Sequence, residues 1–274
     1  MYSTAGMAIN ASYTGNCSSH AKTITYLGAT PYVNSTATVT FDARHIYKDG
    51  DHEGHDKPWY YYVTLTQSEG KPLTNQWIGV PESVLEANAF NYTRICTYMV
   101  EGRDGGSRVA EGNKTCDGII SDQCVETFSK PKSTAADMDE CPRQFDLEPC
   151  NTSFLASSSD TLSRDKTCFA RTLPGITLPD GYVAAAIAGR GGIPNAGDNE
   201  YASYDDSFRR IIPTVIVFYK REQTGTNATL TTAIGTQRLC AAPNEAQPGS
   251  RSESRRNFDL SLTGFAMLGI LLLV

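Results

Sequence analysis

Residues 58–66 read PWYYYVTLT. Successive side chains of a strand point to opposite faces, so Trp59, Tyr61, Val63 and Leu65 share one face and Tyr60, Tyr62 and Thr64 the other. Aromatic and β-branched residues suit a pleated, half-buried surface, and Pro58 marks the entry to the run. A strand with so large an apolar face needs a second layer to cover it. STATVTFDA, residues 35–43, repeats the pattern, with Val39, Phe41 and Ala43 on one side and threonines on the other.

Further runs of the same kind are KTITYLG (22–28), NQWIGV (75–80) and TRICTYMVE (93–101), the last placing Cys96 in a strand. Near the far end come GYVAAAIAG (181–189), RRIIPTVIVFYKR (209–221) and NATLTTAIGTQRLC (227–240). Pro213 inside the second of these has no N–H to give a ladder, which suggests an edge position or a bulge. Short strands separated by Gly, Asn and Pro turns predict a mainly β fold: an antiparallel β-sandwich or barrel-like domain. It carries a disulfide-stapled loop and short-helix insertion.

That insertion spans residues 96–168 and holds six of the eight cysteines. In DGIISDQCVETFSK (117–130), Ile120, Cys124, Val125 and Phe128 recur at helical spacing, behind Asp117 or Ser121 as a cap. The stretch STAADMDECPRQFDLEPCNTS (133–153) reads as loop that needs staples. Cys17, Cys96, Cys116, Cys124, Cys141, Cys150, Cys168 and Cys240 show wide, irregular spacings without C-x-x-C, unlike a zinc ribbon or a redox pair. An even count of this kind fits disulfides made in an oxidising compartment. The pairing stays open, although Cys17 near the start and Cys240 near the end suggest a bridge between the terminal portions.

The sequon N-x-[ST] occurs at Asn10, Asn16, Asn34, Asn91, Asn113, Asn151 and Asn227, seven of the thirteen asparagines. With 51 Ser and Thr in 274 residues, chance predicts roughly two or three. The excess points to the secretory pathway and to glycans on the surface. The terminal run LSLTGFAMLGILLLV (260–274) is uncharged and short for a bilayer span of about 20 residues. Before it lies the polar stretch AAPNEAQPGSRSESRRNFD (241–259). Small residues, a polar spacer and a terminal apolar run form a glycosylphosphatidylinositol attachment signal. Three segments follow: an ectodomain 1–240, a polar stalk 241–257 and a hydrophobic attachment signal 258–274. Spacer length favours attachment at Asn244 over Ser250. Arg251, Arg255 and Arg256 also suit an uncleaved tail anchor with its body in the cytosol. MYSTAGMAIN has neither a basic n-region nor a long apolar run, so export requires a signal sequence from further upstream.

Functional motifs are sparse. KDGDHEGHDK (48–57) offers Asp49, Asp51, His52 and His55 as metal ligands. The twelfth position of a calcium loop starting at Asp49 is Tyr60, where a bidentate Glu is required. The two histidines are one residue short of H-E-x-x-H. A solvated hairpin loop is the simpler reading. AGRGGIPNAG (188–197) lacks the phosphate-loop Lys-Ser/Thr and reads as a flexible turn. The aromatics of PWYYY and of NEYASYDDSF (199–208) are the groups that stack on sugars, though strand aromatics more often pair within a sheet. There is no G-x-S-x-G elbow and no H-E-x-x-H, so no catalytic residues are assigned and no cofactor is expected. A net charge of −6 without basic runs argues against nucleic acid.

In its sequons, its cysteine segment CDGIISDQC…CPRQFDLEPC and its tail, the chain resembles the lipid-anchored or secreted cysteine-containing glycoproteins of filamentous fungi. The resemblance is one of organisation. It implies a protein on the outer face of the membrane or in the wall, meeting extracellular polysaccharide or protein ligands. The eight-cysteine CFEM family of fungi groups its cysteines closely around haem. In this chain they spread over 224 residues, so haem capture is not expected. Two functions remain in play: a non-enzymatic binding or adhesion module, and a surface hydrolase in which two carboxylates face each other across a glycan.

Overall fold

The computed structural model describes residues 13–15, 33–43, 56–68, 71–86, 93–102, 116, 118–131, 141–142, 144–150, 152–158, 168–173, 175–191, 208, 211–224, 227–243 and 245–246. Within them the PWYYYVTLT run is β3 (Trp59–Ser68). It lies between β2 (Val33–Phe41) and β4 (Lys71–Pro81), antiparallel to both. Beyond β4 come β8 (Tyr182–Gly191), β7 (Cys168–Ala170) and β1 (Tyr13–Gly15). On the other side of β2, β11 (Glu245–Ala246) forms the edge of this seven-stranded sheet. The second sheet has four strands in the order β10 (Asn227–Ala241), β9 (Ile212–Thr224), β5 (Thr93–Gly102), β6 (Thr152–Ser158). All pairings are antiparallel.

The two sheets bury their facing sides against each other as a sandwich. Trp59, Tyr61, Val63, Ile78, Val183 and Ala185 of the larger sheet meet Ile95, Ile216, Phe218 and Leu239 of the smaller. Trp59 stands edge-on to Phe218 at 5.9 Å. Burying aromatics of this size contributes roughly 1.5–3 kcal/mol each. A hydrogen bond of 3.0 Å crosses the core between the Tyr61 hydroxyl and Thr214 Oγ1. It satisfies a phenol that would otherwise be stranded in an apolar interior. Helix α1 (Glu82–Glu86) follows β4 and adds Val84 and Leu85 to the core.

The smaller sheet is buried on both sides. Along β9, Ile216 and Phe218 face the sandwich, whereas Val215, Val217 and Tyr219 face outward with Tyr98 and Val100 of β5. Over this outer side lies the segment between β5 and β6. Its helix α2 (Asp122–Ser129) is capped by the Ser121 hydroxyl, which accepts from Cys124 N at 3.1 Å. Cys124 and Phe128, four residues apart and so on one face, point down to the sheet beside Ile120 and Phe145.

Disulfides fix this cover. Cys96–Cys141 and Cys116–Cys240 tie it to β5 and β10, and Cys124–Cys150 closes it on itself. The expected link between Cys17 and Cys240 is therefore not made: Cys240 points to the cover and bonds Cys116. Hydrogen bonds add to the staples, from Tyr98 to the Pro142 carbonyl at 3.0 Å and from Tyr219 to the Phe128 carbonyl. Arg238 Nη1 donates to the Ile120 carbonyl at 2.8 Å and to Asp122 at 2.9 Å.

Two local expectations change. Strand β9 is central, not an edge, yet its pairing with β5 ends at Met99↔Thr214, so Pro213 lies one residue past the last partner on that side. The missing N–H is thereby accommodated. Gly189–Gly191 do not form a turn: they pair with Asn75, Thr74 and Leu73 and extend β8.

Candidate functional site

The outward side of the seven-stranded sheet is covered differently. The alternation that sends Trp59 and Tyr61 inward turns Tyr60 and Tyr62 outward, next to Trp77 of β4 and Ala184 of β8. Leu173, Ile176 and Leu178 pack over them as a short strap. Two turns build this strap. In the first, Ile176 N donates to the Leu173 carbonyl at 3.2 Å, with Gly175 at φ 71°. In the second, Tyr182 N donates to the Pro179 carbonyl at 3.1 Å, with Gly181 at φ 76°. Both glycines occupy the left-handed region that side chains avoid. An exposed ion pair, Arg171 with Glu82 at 2.8 Å, holds the strap's first residues near α1.

Between strap and sheet runs a groove of about 230 Å³ lined by Thr36, Thr38, Tyr60, Tyr62, Gly175, Ile176, Thr177 and Pro179. Its aromatic wall is preset. Tyr60 and Tyr62, two apart on one strand, stack in parallel with centroids 5.8 Å apart and planes 7° apart. Tyr182 meets Tyr60 edge-on at 5.2 Å and is itself fixed by donating to the Pro58 carbonyl at 2.9 Å. Tyr62 lies over Gly79: a Cβ at that glycine would stand 2.6 Å from its Cε2. Only a residue without a side chain admits the ring there.

Tyr62 is 2% exposed, and its buried hydroxyl has no hydrogen-bond partner among the described residues. Burial, reinforced by the neighbouring Tyr60 and Tyr182, pushes its phenol well above the ordinary range. Tyr182 is pushed up to about 12 by burial first, then by Tyr60 and Asp56. These phenols stay neutral hydrogen-bonding groups at any physiological pH. Among the described residues, the eight that line the groove include no acid, base or histidine. They offer aromatic faces and neutral hydroxyls.

The other sequence-derived sites distribute as follows. Asn34 is the extra residue of a β-bulge, between Val33↔Thr66 and Ser35↔Leu65. Asn227 opens β10 opposite Thr224, at the β9–β10 hairpin on the edge of the smaller sheet. Asn10, Asn16, Asn91, Asn113 and Asn151 lie outside the described residues, as do Cys17, Asn244, Ser250 and the tail 258–274. So does the proposed metal set Asp49, Asp51, His52 and His55. Among the described residues no group of three or more His, Cys, Asp or Glu could hold a metal ion, and no helix is long and apolar enough to cross a membrane. Of NEYASYDDSF only Phe208 is described, and it packs on Leu65.

Part of the segment read as a polar stalk, 241–257, packs on the sheets. Pro243 is buried, and Glu245 and Ala246 pair with Thr36 and Ser35 as β11.

Searches of protein-family models, curated proteins and solved structures find no match to this chain.

Proposed function

We propose that this chain is a non-enzymatic binding module of the cell surface, matured in the secretory pathway and held outside the membrane by a glycosylphosphatidylinositol anchor. The observation that carries the reading is the set of three disulfides closing separations of 26, 45 and 124 residues. Bonds of that reach persist where the surroundings are oxidising. Seven sequons and the polar spacer before an uncharged tail support the same compartment. The hydroxyl- and aromatic-lined groove supports binding over catalysis, with extracellular polysaccharide or a protein as ligand.

Strand β11 bears on the anchor. Cleavage after Asn244 would remove Glu245 and Ala246 from the sheet edge. Cleavage after Ser250 leaves them in place, which makes Ser250 the preferred attachment residue despite its shorter spacer.

The test is made on the protein taken from its own cells. Expected are a mobility shift on removal of N-glycans, no alkylation without reductant, and release from intact cells by a phosphatidylinositol-specific phospholipase. Retention after phospholipase with shifted glycans would replace the lipid anchor by another attachment. Free thiols and unmodified asparagines would support the second reading, a cytosolic body on a tail anchor, which the arginines at 251, 255 and 256 favour.

A further inference from the structure

We propose that the groove beneath the 173–178 strap holds one neutral pyranose ring of a polysaccharide, stacked on Tyr60 and hydrogen-bonded by the Tyr62 hydroxyl. The proposal rests on the reading of the protein as an extracellular binding module and names the ligand class of that site.

Four observations converge on it. The Tyr62 hydroxyl is a buried donor with no partner among the described residues, and leaving such a group unpaired costs about 1–3 kcal/mol. A hydroxylated ligand in the groove that Tyr62 lines would supply the partner. Tyr60 is half-buried and held by rings on two sides, Tyr62 in parallel and Tyr182 edge-on. Its orientation is set before a ligand arrives, which lowers the ordering cost of binding. The described lining carries three threonine hydroxyls and, among those residues, no formal charge. That favours a neutral ligand rich in hydroxyls over a phosphate, a uronate or a cationic peptide. Finally, a volume of about 230 Å³ is below the roughly 300–1,000 Å³ of sites for drug-sized ligands. It suits one ring of a chain whose other units remain outside.

Stacking constrains the sugar further. A pyranose whose hydroxyls are all equatorial presents flat C–H faces to an aromatic ring, as in gluco-configured units. An axial hydroxyl, as at C2 of mannose, roughens one of those faces. The inferred ligand is therefore a gluco-configured β-linked polysaccharide.

Titration calorimetry on the full chain in detergent, disulfides intact, tests this with β-1,3-glucohexaose, chitohexaose and mannohexaose. Saturable binding to at least one of the first two is expected, with mannohexaose at least about tenfold weaker. Tyr60→Ala is expected to lose about tenfold or more in affinity, whereas Tyr60→Phe stays within about twofold. Tyr62→Phe is expected to lose about three- to tenfold through the missing hydroxyl, with no fall in melting temperature because that hydroxyl has no partner among the described residues. The proposal is overturned if neither glucan nor chitin oligomer binds at about 1 mM, or if Tyr60→Ala folds and binds like the parent. The assay is blind to where the protein resides, so failure to bind with glycans and anchor confirmed removes this inference alone. Free thiols and absent glycans would remove the reading beneath it.

Discussion

The sandwich has two outer faces, and they are closed in different ways. Over the four-stranded sheet lies a long insertion with its own small core, in which Phe128 and Phe145 press on Tyr98 at 5.0 and 5.1 Å. Two disulfides and three side-chain-to-carbonyl hydrogen bonds pin that cover to the strands below. Over the seven-stranded sheet lies a strap of a few residues, shaped by two glycine turns and tied at its start by one exposed ion pair. The first face is sealed and its tyrosine hydroxyls are paired inside the protein. The second is left open along one side, and there the Tyr62 hydroxyl has no partner among the described residues. Covalent cross-linking thus goes with the structural face, and sparse cover with the one able to receive a ligand.

Removing the longest staple should break this contrast most visibly. The Cys116–Cys240 bond closes a separation of 124 residues, and Cys116→Ala with Cys240→Ala is expected to cost about 4–5 kcal/mol in denaturant unfolding. A loss below about 1 kcal/mol would mean that the cover holds its place without it. Of the two cysteines outside the three pairs, Cys168 stands opposite Gly15 in the β1–β7 ladder, and Cys17 follows Gly15 by two residues in sequence. Non-reducing peptide mapping is expected to recover them linked to each other; a peptide joining either one to any other cysteine would contradict that fourth bridge.

Next in size is Phe128→Ala, which empties the centre of the cover's core and should cost about 3–5 kcal/mol. Exposed hydrophobic surface, read by dye binding, should rise with it. An unchanged unfolding midpoint would show that the cover rests on its disulfides alone.

On the open face the expected effects are smaller. Gly79→Ala puts a methyl 2.6 Å from the Tyr62 ring, and should cost about 1–3 kcal/mol. Because the ring must swing toward the groove, ligand binding should weaken even where the fold survives. Binding equal to the parent's would mean that Tyr62 can shift without narrowing the site.

The smallest effect at neutral pH emerges only in alkali. Burial raises the phenols of Tyr61, Tyr62, Tyr98, Tyr182 and Tyr219 above their ordinary value of 10.0. A proton held more tightly by the native state stabilises it below the unfolded pKa and ceases to do so as pH rises through the native one. Stability should therefore be level up to about pH 10 and fall beyond it. Ultraviolet titration should show these tyrosines ionising together with unfolding. Five phenols titrating reversibly near pH 10 in a folded protein would refute their burial.

How far the sequence foretold these faces depends on the strand. PWYYYVTLT assigned Trp59, Tyr61, Val63 and Leu65 to the core as the structure does, because a period of two is a local property. The helix behind Ser121 was equally legible from its cap and the spacing of Cys124 and Phe128. The third layer was not. TVIVFY, residues 214–219, is apolar on both sides, a sign that both faces of β9 are covered, but nothing local says by which segment. Disulfide partners are likewise distant in sequence, and 105 connectivities are compatible with eight cysteines. The groove was half visible. Tyr60 and Tyr62 stood out as aromatics, whereas Thr36 and Thr38 arrive only through strand register. LPGITLPDGY, residues 173–182, carries two turn signals that would have marked the strap.

The pairing of β11 with β2 has one more effect. Its register sets Glu245 opposite Thr36, a wall residue of the groove. The last described residues therefore lie beside the recess proposed for recognition. If the proposed anchor is attached a few residues downstream, it keeps that recess close to the surface of its own cell and away from a neighbour's.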